Sequence, residues 1–255
     1  MSDRHLEDET GFSTIILAAG KGTRMKADLA KVLHSIGGVP MLSYPVAAAR
    51  AAGSKKIVAV IGHQAELIRE LFQGKNLIFV EQKELLGTGH AVLQAQKAFS
   101  RRNETIIILC GDVPLIRHQT LKRLYERKKQ DNAAVVVLTA IVDNPAGYGR
   151  VIKAEDGQIL KIVEEKDATQ EEKLNHEINT GTYCVESRFL FDAVKRLKNK
   201  NAQKEYYLTD IIEIARQEGI RATSLPVSDP LEVMGVNTAK ELRLAEMIVK
   251  GRINE

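Results

Sequence analysis

The sequence predicts an α/β fold: a doubly wound, mostly parallel sheet with helices on both faces and a smaller mixed or antiparallel part attached. Three observations lead there. Short apolar runs alternate with amphipathic stretches from Ser13 to about Ala140, the rhythm of strands joined by crossover helices. The first run, Thr14-Ile15-Ile16-Leu17, passes directly into the Gly-rich turn Ala18-Ala19-Gly20-Lys21-Gly22-Thr23-Arg24-Met25. After Ala140 the rhythm changes to strand-like pieces separated by polar turns.

Each element follows from its local pattern. Thr14–Ala18 is β-branched and lacks polar alternation, as a strand buried on both faces must be. Lys56–Ile61, Leu77–Val80, Thr105–Leu109 and Ala133–Ala140 are read as strands on the same grounds. Between them, Met41–Ala52, Gln64–Phe72, Thr88–Ala98 and Thr120–Lys129 carry apolar residues at helical spacing. In the second part Gly149–Lys153, Ile159–Glu164 and Glu177–Val185 read as strands closing over the sheet edge, and Arg188–Leu197 and Leu208–Gln217 as helices. The polar stretch Asn199–Lys204 is expected to be an exposed loop. Asn237 opens a last amphipathic helix with Leu242, Ala245, Met247 and Ile248 on its apolar side. No internal repeat is visible.

Bulk properties narrow the class. A chain of 255 residues with 44% hydrophobic and 27% charged residues has core enough for one large domain. A net charge of +4, spread along the chain, suits a small anionic substrate and gives no reason to invoke nucleic acid. The densest basic cluster, Lys122, Arg123, Arg127, Lys128 and Lys129, shares a predicted helix with Leu121 and Leu124 and reads as a solvated face. Cys110 and Cys184 have neither metal-ligand spacing nor a disulfide framework, which fits a reducing cytoplasm. Met1 to Gly11 is acidic without an apolar centre, so it reads as a disordered lead-in and no secretory signal. No apolar run reaches the roughly eighteen residues of a membrane helix, and no membrane partner is expected.

The Gly-rich turn points to a nucleotide site by elimination. A P-loop needs Ser or Thr after its Gly-Lys, and Lys21 is followed by Gly22. A dinucleotide fingerprint needs a third glycine where Met25 stands. What remains is a glycine turn with two fixed cations, Arg24 and Lys31, suited to gripping a triphosphate and its leaving pyrophosphate. The plain alternative is a strand-to-helix turn with solvated basic residues.

Other segments carry both a functional and a bland reading. Asp112, in Gly111-Asp112-Val113-Pro114, stands at a strand's carboxyl end, either as a Mg²⁺ ligand or as a turn former before proline. Gln82 and Leu86-Gly87-Thr88-Gly89-His90 offer amide and backbone groups to a base edge, or Thr88 simply caps the next helix. His90 reads as a packed histidine, having no second ligand spaced with it. Gly147-Tyr148-Gly149-Arg150, Glu164-Glu165-Lys166-Asp167 and Glu177-Ile178-Asn179-Thr180-Gly181 supply N–H groups, a carboxylate and an amide for a hydroxyl-rich, amide-bearing sugar, or are ordinary turns. Asn237 is either functional or a helix N-cap.

Taken in order along the chain, these segments resemble one family. Leu17 to Met25, Asp28-Leu29-Ala30-Lys31-Val32-Leu33-His34, Leu86 to Ala91, Gly111 to Ile116, Gly147 to Arg150, Ile162 to Ala168, Glu177 to Gly181, Asn201 to Asp210 and Gly235-Val236-Asn237 span nearly the whole chain. The chain resembles the uridylyltransferase domain of the bacterial bifunctional N-acetylglucosamine-1-phosphate uridylyltransferases/glucosamine-1-phosphate acetyltransferases, within the sugar-nucleotide pyrophosphorylase family. The resemblance implies a Rossmann-like fold of the nucleotide-diphospho-sugar transferase type. It also implies Mg²⁺-dependent transfer from UTP to N-acetylglucosamine 1-phosphate, giving UDP-N-acetylglucosamine, a cell-wall precursor, and pyrophosphate.

Roles follow residue by residue from that resemblance. Leu17, Ala18, Ala19 and Gly20 would hold the uridine and its phosphates, with Gln82, Gly87 and Thr88 at the uracil and Gly111 nearby. Arg24 and Lys31 would be the catalytic cations, and Asp112 and Asn237 would hold Mg²⁺. Tyr148, Gly149, Glu164 and Asn179 would bind the sugar. Residues 1–12 are then a lead-in, 13–140 a nucleotide-binding part, 141–236 a sugar-binding part and 237–255 a C-terminal helix of one domain. Ala30 departs from the usual proline, loosening the approach of Lys31, and Cys110 stands where tyrosine is common. The chain ends at Glu255 without hexapeptide repeats, so no acetyltransferase domain and no acetyl transfer are expected, leaving a separate acetyltransferase as a pathway partner. Two other readings fit the same motifs: a uridylyl- or thymidylyltransferase for glucose 1-phosphate, and a non-catalytic sugar-nucleotide sensor.

Overall fold

The strand Phe12–Ala18 (β1) can sit at the centre of a sheet because it offers apolar or small side chains to both faces, and all its residues but Leu17 are buried. The computed structural model describes residues 11–22, 25, 28–99 and 104–253. β1 pairs in parallel with Ile57–Ile61 (β4) on one side and Thr105–Cys110 (β6) on the other. Ile78–Glu81 (β5) extends the parallel run to the edge beyond β4. Ser43–Ala51 (α1), Ala65–Leu71 (α2) and Thr88–Gln94 (α3) connect these strands, and His118–Gln130 (α4) follows β6.

On the far side of β6 one strand of the central path runs against its neighbours. Glu177–Glu186 (β10) runs antiparallel between β6 and Val135–Ile141 (β7), and Ala222–Pro226 (β11) then pairs in parallel with β7. Strands from the second part thus complete the central sheet as well as closing over it, in the order β11-β7-β10-β6-β1-β4-β5. The first half of β10 also leads into Arg150–Lys153 (β8), which pairs with Ile159–Val163 (β9). A glycine helps β10 serve both the central path of the sheet and its β8–β9 branch: Gly181, at φ +77°, sits at the register shift between Asn179 and Tyr183, an irregularity that bends a strand locally.

Alternating side chains sort into two cores. Ile16, Ile107 and Leu109 pack on one face, and Ile15, Ile106 and Ile108 on the other, as a period of two requires. Ser187–Val194 (α5) and Ile211–Gln217 (α6) cover the second face together with α3. A third cluster joins the short hairpin Ser35–Ile36 (β2) and Val39–Pro40 (β3) to Ala239–Ile253 (α7) through Ile36, Met41, Val236, Ala245 and Val249.

Several boundaries differ from the sequence reading for physical reasons. The stretch read as one helix from Thr88 tightens into a 3-10 turn at Ala95–Ala98, and the one from Leu208 begins as a 3-10 turn at Leu208–Asp210. The β2–β3 hairpin and β11 were not foreseen; the hairpin strands are too short to show alternation. On α7, Met247 is 64% exposed and Val249 is buried, which corrects the predicted apolar side. Val249 lies four residues after Ala245, on the same face, whereas Met247 is two residues away and points elsewhere. No helix among the described residues is long and apolar enough to cross a membrane.

Candidate functional site

The carboxyl ends of β1 and β6 meet at a tight crossing. Gly111 N–H donates to the Leu17 carbonyl at 2.8 Å, and a Cβ on Gly111 would lie 3.0 Å from that oxygen. Gly111 therefore packs the two strand ends together. A cleft of about 390 Å³ opens above them, lined by Leu17, Ala18, Ala19, Gly20, Lys21 and Lys31 from the first strand and its turn. Gln82, Gly87 and Thr88, with Leu85 and Glu205, form another wall, and Cys110 and Asp112 close the β6 side. Among the residues predicted for the nucleotide, Gly111 alone is absent from this lining.

Lys31 is fixed at the base of the cleft. Its Nζ donates to Asp112 Oδ2 and, at 3.0 Å, to Asn237 Oδ1. Asn237 is far away in sequence and is brought in by backbone, since Val236 N–H donates to the Asp112 carbonyl at 2.8 Å. The helix-capping alternative for Asn237 does not hold. Thr238 Oγ1 accepts from Glu241 N–H while Glu241 Oε2 accepts from the N–H groups of Thr238 and Asn237, a reciprocal cap that leaves the Asn237 side chain for Lys31. Gly22, at φ +68°, presses on the same lysine: a Cβ there would lie 2.5 Å from Lys31 Cβ. Arg24, the other predicted catalytic cation, lies outside the described residues.

The wall around Gly87 ties the two halves of the chain together. Gly87 takes φ +103°, and a Cβ would meet Glu205 Cβ at 2.8 Å and Tyr206 backbone atoms at 2.8 and 2.9 Å. Tyr206 N–H donates to the Leu86 carbonyl, and Gly89 N–H donates to the Tyr206 carbonyl, both at 2.8 Å. Thr88 does not cap its helix; its hydroxyl instead accepts from Leu208 N–H at 3.1 Å. Gln82, 3% exposed, donates through Nε2 to the Gly87 carbonyl at 3.1 Å and lies 3.0 Å from His90 Nδ1. That orientation commits its NH₂ group and leaves its carbonyl oxygen as the group still to be satisfied. His90 is a packed residue in this network, as expected.

The residues predicted for a sugar gather at the ends of β8, β9 and β10, outside the lining of that cleft. Asn179 N–H donates to the Gly149 carbonyl at 2.8 Å, and a Cβ on Gly149 would lie 3.3 Å from Ile162 and 3.6 Å from Asn179 Cβ. Asn179 Oδ1 accepts from Gly181 N–H at 3.0 Å. Tyr148 precedes this point, and its carbonyl accepts from Arg150. Glu164, just past β9, accepts from Thr209 Oγ1 at 3.2 Å.

Glu165 here pairs with Arg150 at 2.8 Å, whereas Glu164 and Asp210 have no ion-pair partner among the described residues. Burial raises the Glu164 carboxyl above its ordinary range, and Asp167 and Glu205 push in the same direction against the Thr209 hydrogen bond. Asp210 is pushed up to about 6 by burial first, then by Glu213, Glu164 and Asp167. Neither Thr209 nor Asp210 is a predicted site residue; their sign in the sequence is their place at the end of the family-matching segment Asn201 to Asp210, where a helix is read from Leu208. Burial also pushes the Cys110 thiol up to about 12, with Sγ against the Gly181 carbonyl at 3.6 Å, so it is an inert wall of the cleft.

The model of the MobA-like NTP transferase domain matches residues 14–206. The protein described as bifunctional protein GlmU from Geobacter metallireducens is 53% identical over 244 residues, which cover 95% of this chain and 51% of that protein. The one from Geobacter sulfurreducens is 52% identical over 245 residues, 96% of this chain and 52% of that protein. A more distant relative, from Clostridioides difficile, is 46% identical over 244 residues, again 96% of this chain and 53% of the relative. The chain thus spans about half the length of the curated relatives it matches.

Proposed function

This chain belongs to the MobA-like NTP transferase family, and from that premise we propose that it transfers a uridylyl group from UTP to N-acetylglucosamine 1-phosphate. The products are UDP-N-acetylglucosamine and pyrophosphate. One observation carries the reading: the Lys31 ammonium lies between Asp112 and Asn237 at the base of a cleft walled by the Gly20 turn and by Gln82, Gly87 and Thr88. A sugar phosphate oxygen attacks the α-phosphorus of UTP, and the bond to the bridging oxygen of pyrophosphate breaks. The attacking group is already an anion, so no strong base is needed; positioning and charge neutralisation suffice.

The residues of the chain divide that work. Lys31 and Arg24 neutralise charge on the triphosphate and its leaving group. The turn at Ala19 and Gly20 admits phosphate oxygens close to backbone, and the free carbonyl of Gln82 accepts from a base N–H. Tyr148, Gly149, Glu164 and Asn179 orient the sugar through its hydroxyl and amide groups.

Asp112 and Asn237 fit a Mg²⁺ ion. Both offer hard oxygen atoms, and a cation, the Lys31 ammonium, already lies between them. No cluster of three or more His, Cys, Asp or Glu side chains is present among the described residues, which suits an ion that takes few protein ligands and completes its shell with phosphate and water. When bound, Mg²⁺ would supply further charge neutralisation for the phosphates. The site residues and this metal are part of the proposal.

Pyrophosphate release from UTP with Mg²⁺ tests it, comparing N-acetylglucosamine 1-phosphate with glucosamine 1-phosphate and glucose 1-phosphate, and UTP with dTTP. Preference for N-acetylglucosamine 1-phosphate and UTP is expected. Preference for glucose 1-phosphate or dTTP would replace the substrate, and UTP binding without release would replace the enzyme by a sensor.

A further inference from the structure

The Gly-rich turn has two ends, and one short segment holds both. After β4 the chain passes through Gly62, His63 and Gln64 before α2 begins. His63 N–H donates to the Ala19 carbonyl at 3.3 Å, where the turn leaves β1. At the other end, Gln64 Oε1 accepts from Ala30 N–H at 2.7 Å, and Gln64 Nε2 donates to the Asp28 carbonyl at 3.1 Å. One side-chain amide thus satisfies an N–H and a C=O two residues apart, and only one orientation of the amide can do so. Gly62 makes the approach possible, since a Cβ there would lie 2.9 Å from the Ala19 carbonyl. Gln64 itself adopts φ 54° and ψ 41°, which turns its side chain out of the helical direction that the next residue takes up.

What Gln64 grips is the residue next to the cleft's cation. Ala30 is 1% exposed and precedes the 3-10 turn Lys31–Leu33, whose Leu33 N–H donates to the Ala30 carbonyl at 2.9 Å. Its φ of −53° is within the range that a proline ring would impose, and its ψ of 134° is extended. An alanine does not impose them, so something else must hold the chain there. The geometry points to Gln64 as a positioning residue: it fixes the Asp28–Ala30 backbone in that conformation and thereby aims Lys31 at Asp112 and Asn237. This rests on the proposed nucleotidyl transfer for its kinetic consequence and on geometry alone for its structural one.

The two constraints are interchangeable, and that gives the test. The Ala30 N–H points at Gln64 Oε1, so a proline ring at that position needs the space of the Gln64 amide. Gln64→Ala is expected to lower kcat on the order of 10- to 100-fold, the range for misplacing a group by a fraction of an ångström to about 1 Å, with KM for the sugar phosphate nearly unchanged. Ala30→Pro made together with Gln64→Ala should restore most of the lost kcat, because the ring fixes φ without the amide. A role in folding alone would lower the melting temperature of Gln64→Ala without this rescue. Hydrogen exchange of the backbone over residues 28–33 is the readout that needs no activity: it should quicken in Gln64→Ala and slow again at residues 31–33 in the double variant. Unchanged exchange in Gln64→Ala, or a double variant no faster in turnover than Gln64→Ala, would overturn the assignment. A wild-type protein that transfers no nucleotide but shows the exchange pattern would instead remove the proposed function and leave the brace standing.

Discussion

The two ends of the candidate site handle charge in opposite ways. Around the Gly20 turn a half-buried cation is matched: Lys31 meets the Asp112 carboxylate and the Asn237 carbonyl. Past β9, Glu164 and Asp210 have no ion-pair partner among the described residues: burial raises both carboxyls, and the charge of Asp167 adds to each. A triphosphate would be repelled by the second region and accommodated by the first once its cations turn toward phosphate oxygens. A neutral sugar suits the second, where carboxylates accept hydrogen bonds from hydroxyl groups. On the proposed function, the triphosphate would therefore lie at the first region and the sugar at the second.

The largest effects should come from breaking the matched end. Lys31→Ala is expected to lower turnover on the order of 10²-fold or more, the loss seen when one donor to a developing charge is removed. Asp112→Ala should abolish Mg²⁺-dependent turnover. A Lys31→Ala enzyme at wild-type turnover would place the neutralising charge elsewhere, and persistent Mg²⁺-dependent activity in Asp112→Ala would give the ion to other ligands. The same lysine predicts a binding result in the absence of nucleotide. Since Lys31 bridges Asp112 and Asn237, Lys31→Met should bind Mg²⁺ or Mn²⁺ more tightly than wild type in calorimetry, and equal or weaker binding would dissociate the lysine from the metal.

Two glycines separate ligand approach from chain packing. A Cβ on Gly20 would meet nothing within 4 Å, so Gly20→Ala should leave the melting temperature unchanged. If phosphates approach that backbone, its KM for UTP should rise roughly 10-fold, the scale of one misplaced carbon in a fitted site. Gly87→Ala is the contrast: at φ +103°, with Glu205 and Tyr206 atoms 2.8 Å from the new carbon, it should destabilise the fold by roughly 2 kcal/mol. Thermal unfolding of both variants checks the pair, and a destabilised Gly20→Ala would assign that glycine to packing.

How much of this was legible depended on the range of each interaction. β1, β4, β6 and β7 were visible because burial on both faces writes itself as a continuous apolar run. The turn after β1 was visible because glycine and lysine in that order have few explanations. β11 was not, since Thr223 and Ser224 interrupt its apolar residues and yet are buried. Nor was the Lys31–Asn237 contact derivable from spacing, because it depends on a backbone bond from Val236 to Asp112 that no local pattern records. The metal-holding role of Asn237 came only from resemblance, and as a bare residue it read equally well as a cap, work that Thr238 and Glu241 do. Gln64 was read merely as the start of a helix; its left-handed backbone and its reach to Asp28 and Ala30 are tertiary facts.

Smaller effects test the unmatched end. Glu164→Gln keeps the shape and removes the charge, and it should raise KM for the sugar phosphate by roughly 10-fold while leaving KM for UTP close to wild type. Equal changes in both constants would mean that the two regions act as one pocket.

The smallest effect concerns stability and belongs to the unmatched end. Asp210 holds its proton up to about 6 in the folded protein against 3.8 for an ordinary carboxyl, because burial and then Glu213, Glu164 and Asp167 disfavour its charge. Between those two values the folded chain binds more protons at this site than the unfolded chain, so stability falls as pH rises through the window and the full penalty is present above it. The melting temperature should therefore decline from pH 4.5 toward about pH 6.5 by a few degrees at most, against the usual expectation that paired carboxylates gain from rising pH. Asp210→Asn should flatten that decline and leave the protein more stable than wild type at neutral pH. Should the slope persist in Asp210→Asn, the strain belongs to Glu164, whose carboxyl is raised by the same neighbours, and Glu164→Gln would then remove it.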